Sequence, residues 1–213
     1  MPDHNTQQTE HEIIVFDFDG TITTADTFAL FLRYYAGSGR WLLNLIRLLP
    51  TFLAYKLGII DRHAVKKAVI KRFFANELAE DIESRAEQFA KDVIPGLIRP
   101  LAAEAIQAKL NDPEIGPESL YICSASIGPY LRHWARSVGI HPAKVMATEL
   151  QTINRSATGQ LEGYNVWGAN KVQRILDQFA PHNVKILEAY GDTRGDREML
   201  HAAEASFYKP FRV

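Results

Sequence analysis

The residues of this chain that could do chemistry together are four aspartates, a serine and a lysine. Asp17 and Asp19 stand two apart in Asp17-Phe18-Asp19-Gly20-Thr21, directly after the apolar run Ile13-Ile14-Val15-Phe16. Ser124 follows a second such run, Leu120–Cys123, while Asp192 and Asp196 follow a third, Val184–Tyr190. Lys171 opens a stretch of helical spacing. Crowded carboxylates repel one another unless a cation joins them, and an all-oxygen ligand set suits Mg²⁺, which keeps several waters and takes phosphate oxygens readily. Acids, a hydroxyl and an ammonium around such a cation are the equipment of phosphoryl transfer. Each has a plainer reading alone: turn formers, helix caps, a surface lysine. Their shared position, at the ends of apolar runs or the start of a helix, is what joins them.

Those runs read as strands. Ile13–Phe16 is apolar at every position, as expected of a parallel strand covered on both faces. After Pro95 strand and helix alternate: helices at Leu101–Leu110, Pro129–Val138, Lys171–Phe179 and Arg197–Ala203, strands at Leu120–Cys123, Val145–Leu150, Val184–Tyr190 and Ala205–Tyr208. Ala157-Thr158-Gly159-Gln160 predicts the turn of a hairpin within Gln151–Val166. This alternation implies an α/β fold, a doubly wound parallel (Rossmann-like) sheet, whose ligands bind at the carboxyl ends of the strands. Between Asp26 and Val93 the spacing is helical throughout. The expected organisation is a flexible tail over 1–11, an α/β core over 12–26 and 96–213, and an all-helical cap over 27–95, inserted after the first strand.

Composition narrows the function. Lys plus Arg number 24 against 25 acids, so no bulk basic surface points to nucleic acid, and no aromatic–basic platform does either. One cysteine, Cys123, excludes an intrachain disulfide framework and a multi-cysteine zinc site, and fits a reducing cytoplasm. No signal peptide is recognisable in the polar first twelve residues. Fourteen of the twenty residues Trp41–Ile60 are apolar, but Asn44, Arg47, Pro50 and Lys56 interrupt them. Two cations and a proline are costly in a bilayer core, which favours a buried or interface-lying helical pair over a membrane span.

Asp17-Phe18-Asp19-Gly20-Thr21-Ile22-Thr23 resembles the first motif of the haloacid-dehalogenase (HAD) superfamily, Ser124 its second, Lys171 its third, and Asp192 with Asp196 its fourth. The resemblance runs from about Ile13 onward, and the position of the helical insert is similar to that of the phosphoserine-phosphatase-like branch. It implies a Mg²⁺-dependent phosphomonoester hydrolase. Asp17 would be the nucleophile, forming an aspartyl-phosphate, and Asp19 the general acid and base. Mg²⁺ would lie between Asp17, the backbone carbonyl of Asp19 and Asp192, with Asp196 assisting. Ser124, Lys171 and the Ala125 N–H would hold the phosphoryl oxygens. A phosphotransferase or mutase would use the same intermediate, and a binding module could keep the fold without the reaction.

Two departures bear on substrate. Where phosphoserine phosphatases carry a glutamate that reads the substrate ammonium, this chain has Asp26, one methylene shorter, and where they have asparagine in the fourth motif it has Gly195. Arg62, Arg72 and Arg85 all qualify as the cap arginine that would grip a carboxylate. The apolar cap, with Arg40, Arg47 and Lys56 interleaved, resembles in texture the phosphatidylglycerophosphatase-type members. The expected partner is therefore a phosphorylated small molecule or a lipid phosphate. The expected location is cytoplasmic, with peripheral contact to the inner membrane face left open.

Overall fold

The computed structural model describes residues 10–212; residues 1–9, most of the expected tail, lie outside the described residues. Glu10 and His11, assigned to that tail, instead begin the first strand. They pair with Asn183 and Val184, and the His11 ring packs 5.0 Å from that of Phe179.

Six strands form one sheet: β1 (Glu10–Phe16), β2 (Leu120–Ile127), β3 (Val145–Ile153), β4 (Ser156–Glu162), β5 (Asn183–Gly191) and β6 (Ala203–Tyr208). Their order is β4-β3-β2-β1-β5-β6, parallel except for the β3–β4 pair. The chain builds outward from β1 to one side and then returns to build the other. The switch point of this doubly wound α/β sheet therefore lies beside β1, where a crevice opens at the strand ends. The period-two rule divides β1 between two cores. Ile13 and Val15 pack with Tyr121, Cys123, Ile175 and Phe179 on one face; Ile14 and Phe16 join Tyr130, Trp134 and Ile106 on the other. An unbroken apolar run is thus required, not incidental.

Three helices intervene between β1 and β2 before the core resumes: α1 (Thr27–Lys56), α2 (Arg62–Phe74) and α3 (Ala79–Asp92). They are followed by α4 (Pro100–Asn111), α5 (Gly128–Ser137), α6 (Ala169–Phe179) and α7 (Arg197–His201). The insert enters and leaves side by side. Thr23 bridges Ile98, Thr24 N donates to Leu97 O, and the Arg99 side chain donates to the carbonyls of Gly20 and Thr23. Its apolar residues are continuous with the larger core: the Phe31, Phe89 and Tyr130 rings lie 5.1–5.3 Å apart.

Two expectations are corrected. The hairpin turns at Asn154-Arg155, both with positive φ, whereas Ala157–Gln160 lies inside β4. Gly159 serves a different purpose from turning: α2 crosses β4 so closely that a Cβ there would come within 2.8 Å of Ala75 Cβ. The Trp41–Ile60 stretch is not a helical pair but a single helical run to Lys56. The break falls earlier, at Gly37, whose φ of 71° and ψ of 159° no helix accommodates. Pro50 lies inside the helix on the exposed side of that run.

Phe31 is fully buried where insert meets core. Phe31→Ala should lower unfolding stability by about 3–5 kcal/mol in urea titrations, and a loss below about 1 kcal/mol would mean the two parts do not share a core.

Candidate active site

Asp17 sits at the tip of β1, its backbone N–H held by Tyr190 O at 2.8 Å. The chain then makes a tight irregular turn through Phe18–Ile22, pinned by the buried Phe18 ring against Trp134. Gly20 takes φ +82°, and a Cβ there would fall 2.5 Å from Asp192 Oδ2. Only glycine lets the β1 loop and the β5 loop meet this closely.

Lys171, in the first turn of α6, is buried, and its ammonium donates three hydrogen bonds. They reach Asp17 Oδ1 at 2.6 Å, Asp196 Oδ1 at 2.6 Å and Cys123 O at 2.7 Å. Burial alone would favour a neutral amine, but the charges of Asp17 and Asp196 outweigh it and hold the lysine protonated, its pKa above the ordinary value. Burial likewise raises the pKa of Asp17 to about 7, with Lys171 pulling the other way and Asp196 adding repulsion. Asp196 is also buried, yet Lys171 and the Thr193 N–H and hydroxyl hold its carboxyl below the usual range. Asp192 accepts from Thr21 Oγ1 and from Arg212 Nη2. Thr21 bridges it to Asp17 Oδ2, 3.0 Å away.

The structure brings Asp17, Asp192 and Asp196 together, with one carboxylate oxygen of each within 4.8 Å of the others. The Asp19 side chain is not in this group. It turns toward α1 and β2, accepting from Thr27 N at 2.7 Å, Thr27 Oγ1 at 2.5 Å and the Ser126 hydroxyl. Burial and the nearby Asp26 raise its pKa. Ser124 Oγ is buried and accepts from Ser126 N at 3.1 Å. Ala125 does not begin a helix; it lies near the end of β2, three residues before α5.

Asp26 caps α1, accepting from Ala29 N at 3.0 Å, and it borders the cavity above the strand tips. Of the three arginines considered for the cap, Arg62 lines this cavity, over the Trp167 ring; Arg72 and Arg85 do not line it. Trp167 also explains Gly195. Its indole stands where any side chain at 195 would project, only 2.2 Å from a Cβ built there. Lys66 of α2 is a further site residue that spacing did not reveal. It lies 3.2 Å above the centre of the Phe28 ring, and burial lowers its pKa to about 7 although Asp26 and Asp19 oppose that. The cavity holds about 750 Å³. The strand tips and the turns after them supply Asp17, Asp19, Asp192, Asp196 and Ser124, and α6 supplies Lys171; α1 contributes Phe28, Leu32, Trp41, Leu45 and Phe52.

The site is a buried aspartate at the tip of β1, locked to a lysine and faced by two further acids across the switch point of a doubly wound sheet. The model of the haloacid dehalogenase-like hydrolase family matches residues 14–201, and the chain belongs to that family. It is 34% identical to Protein CicA of Caulobacter vibrioides over 97% of this chain and 90% of that protein. Among solved structures, a protein of unknown function from Bordetella pertussis Tohama I superposes with a TM-score of 0.77 at 19% identity, covering 93% of this chain and 89% of that one. A phosphoserine phosphohydrolase-like protein from Francisella tularensis gives 0.58 at 16% identity, covering 92% and 84%. A phospho-aspartyl intermediate analogue of phosphoserine phosphatase gives 0.58 at 17% identity, covering 93% and 86%. The fold is therefore shared with phosphoserine phosphatases.

Gly20→Ala should leave the far-ultraviolet dichroism intact while cutting hydrolysis on the order of a hundredfold, because it pushes Asp192 from its place. Unchanged turnover would show that the loops can separate without cost.

Proposed function

We propose that the chain is a Mg²⁺-dependent phosphomonoester hydrolase acting through an aspartyl-phosphate on Asp17. The observation that supports it best is the Asp17 carboxylate, fixed between the Lys171 ammonium and the Thr21 hydroxyl at the floor of the cavity. An oxygen of Asp17 attacks phosphorus; the ester P–O bond breaks and the departing alkoxide takes a proton from Asp19. Asp19 then accepts a proton from water, whose oxygen attacks the aspartyl-phosphate, releasing inorganic phosphate and restoring Asp17. The raised pKa of Asp19 suits a group that must hold a proton and give it up. Ser124 and Lys171 would steady the phosphoryl oxygens.

Asp17, Asp192 and Asp196 fit a hard divalent cation, since among the described residues three buried carboxylates pair with two cationic side chains, Lys171 and Arg212. Asp17, the Asp19 carbonyl and Asp192 would hold it, with Asp196 positioning Lys171 and the loop. When bound, Mg²⁺ supplies the charge that lets an anionic carboxylate approach an anionic phosphate.

The substrate is read as a phosphate ester with an extended apolar body, a lipid-like phosphate. The α1 walls offer aromatic and aliphatic side chains where a phosphoamino acid would need polar partners, and the Asp26 side chain caps its own helix. Lys66 and Arg62, also at the cavity, suit the anionic end of such a molecule.

The deciding experiment is a phosphate-release screen over amino-acid, sugar, nucleotide and lipid phosphates with no second acceptor present. Release of inorganic phosphate, reversibly silenced by chelator and restored by Mg²⁺, is expected. Asp17→Asn should abolish it in a folded protein, and Asp192→Ala should raise the Mg²⁺ requirement steeply. Turnover by Asp17→Asn, or activity indifferent to chelator, would overturn the mechanism; phosphate appearing only on an added acceptor would make the protein a transferase.

Lys66 gives a pH signature. Its lowered pKa means that the positive charge is present below about pH 7 and lost above it. KM should therefore rise as pH passes through neutrality. Lys66→Arg, charged throughout, should flatten that rise, and identical profiles would remove Lys66 from substrate binding.

A further inference from the structure

The second half of α1 is apolar on two sides. Trp41, Leu45 and Phe52 face the cavity, and Leu48 is buried. Leu42, Ile46, Leu49 and Leu53 recur at steps of four, three and four, which places them on one face. All four are 54–59% exposed, and Leu57 and Ile59, just beyond the helix, are more exposed still. A helix of an ordinary soluble domain turns polar residues outward. This one turns leucine outward, as contiguous patches do where something binds.

The charge around it is equally one-sided. From Thr27 to Asn76 the chain has nine Lys or Arg and a single acid, Asp61, in a protein whose net charge is -1. Arg47 and Lys56 are exposed on the same stretch as the leucines, and α2 adds the exposed Lys67, Lys71 and Arg72. Among the described residues no helix is long and apolar enough to cross a membrane.

We propose that this outer face of α1 docks on the surface of an anionic bilayer, the leucines entering the acyl boundary and the cations lying among the headgroups. A second copy of the chain fits less well. A two-fold dimer through this face would bring the same basic patch against itself. The docking goes beyond the proposed reaction, because none of Leu42, Ile46, Leu49 and Leu53 lines the cavity.

The test is co-sedimentation of the full chain with vesicles of phosphatidylcholine alone and of phosphatidylcholine mixed with phosphatidylglycerol. Binding to the mixed vesicles is expected, weakening as salt is raised. The double variant Ile46→Glu, Leu49→Glu should lower that affinity about tenfold or more, with unchanged hydrolysis of a soluble aryl phosphate and an unchanged melting temperature. Arg47→Glu, which alters no apolar contact, should cost about fivefold for the lost attraction alone. Vesicle binding does not require turnover, so it separates this surface from the reaction at Asp17. No binding to mixed vesicles, binding indifferent to both variants, or a concentration-dependent dimer in light scattering that Ile46→Glu disperses would overturn the proposal.

Discussion

The site depends on one buried ammonium. Lys171 is buried, and its charge is sustained because Asp17, Asp196 and the Cys123 carbonyl accept hydrogen bonds from its ammonium. Each acid depends on it in turn: with Lys171 gone, two carboxylates would face each other in a space that excludes solvent. Removing one member of such a set costs about 3–5 kcal/mol, whereas the complete set contributes little net stability. A fold seeking stability alone would do as well with leucine. Retaining ions here trades stability for an Asp17 carboxylate whose position and orientation are fixed by Lys171 and Thr21.

That constraint determines how the surrounding backbone must run. Lys171 reaches Asp17 from α6, so α6 must begin beside the tips of β1 and β2. Asp196 must turn back toward it from the β5 loop, which it does by accepting from Asp192 N, Thr193 N and the Thr193 hydroxyl. The glycine at 191 leaves room for that turn, since a Cβ there would meet Asp196 Cβ at 2.5 Å. At the neck of the insert Arg99 ties the Gly20 and Thr23 carbonyls, and Thr27 of α1 donates to Asp19. The insert's helices line the cavity with apolar side chains, whereas the ion cluster comes from the strand tips, the turns after them and α6.

This division explains what the sequence revealed. The strand-tip acids were legible because an apolar run that ends abruptly in Asp-x-Asp or Gly-Asp marks where a strand gives way to a loop. The doubly wound order followed from alternation. Ser124 and Lys171, single residues, took meaning only from their order relative to those tips. Lys66 and Trp167 were not legible, because their roles come from tertiary placement: one lysine of α2 among five cations, and one indole filling the gap beside Gly195. The hairpin was misplaced for the same reason. Glycine at 159 looks like a turn locally, but it answers to α2 crossing β4, and Asn154 supplies the left-handed residue the turn needs. Helix periodicity located the apolar stretch of α1 but could not say that it faces outward on one side as well as inward on the other.

Arg212 completes the electrostatic account. After β6 the chain doubles back: Lys209 N bonds Gly191 O, and the Phe211 ring stacks over Phe16 and Tyr190. These contacts deliver the Arg212 guanidinium to Asp192, opposite the side on which Thr21 holds it. Burial and Asp196 raise the Asp192 pKa, and Arg212 opposes that rise. Among the described residues three carboxylates thus meet two cationic side chains, and burial together with this crowding raises the pKa of Asp17 and of Asp192. A cation bound among these carboxylates would relieve their mutual repulsion, and an all-oxygen set of this kind suits a hard divalent ion.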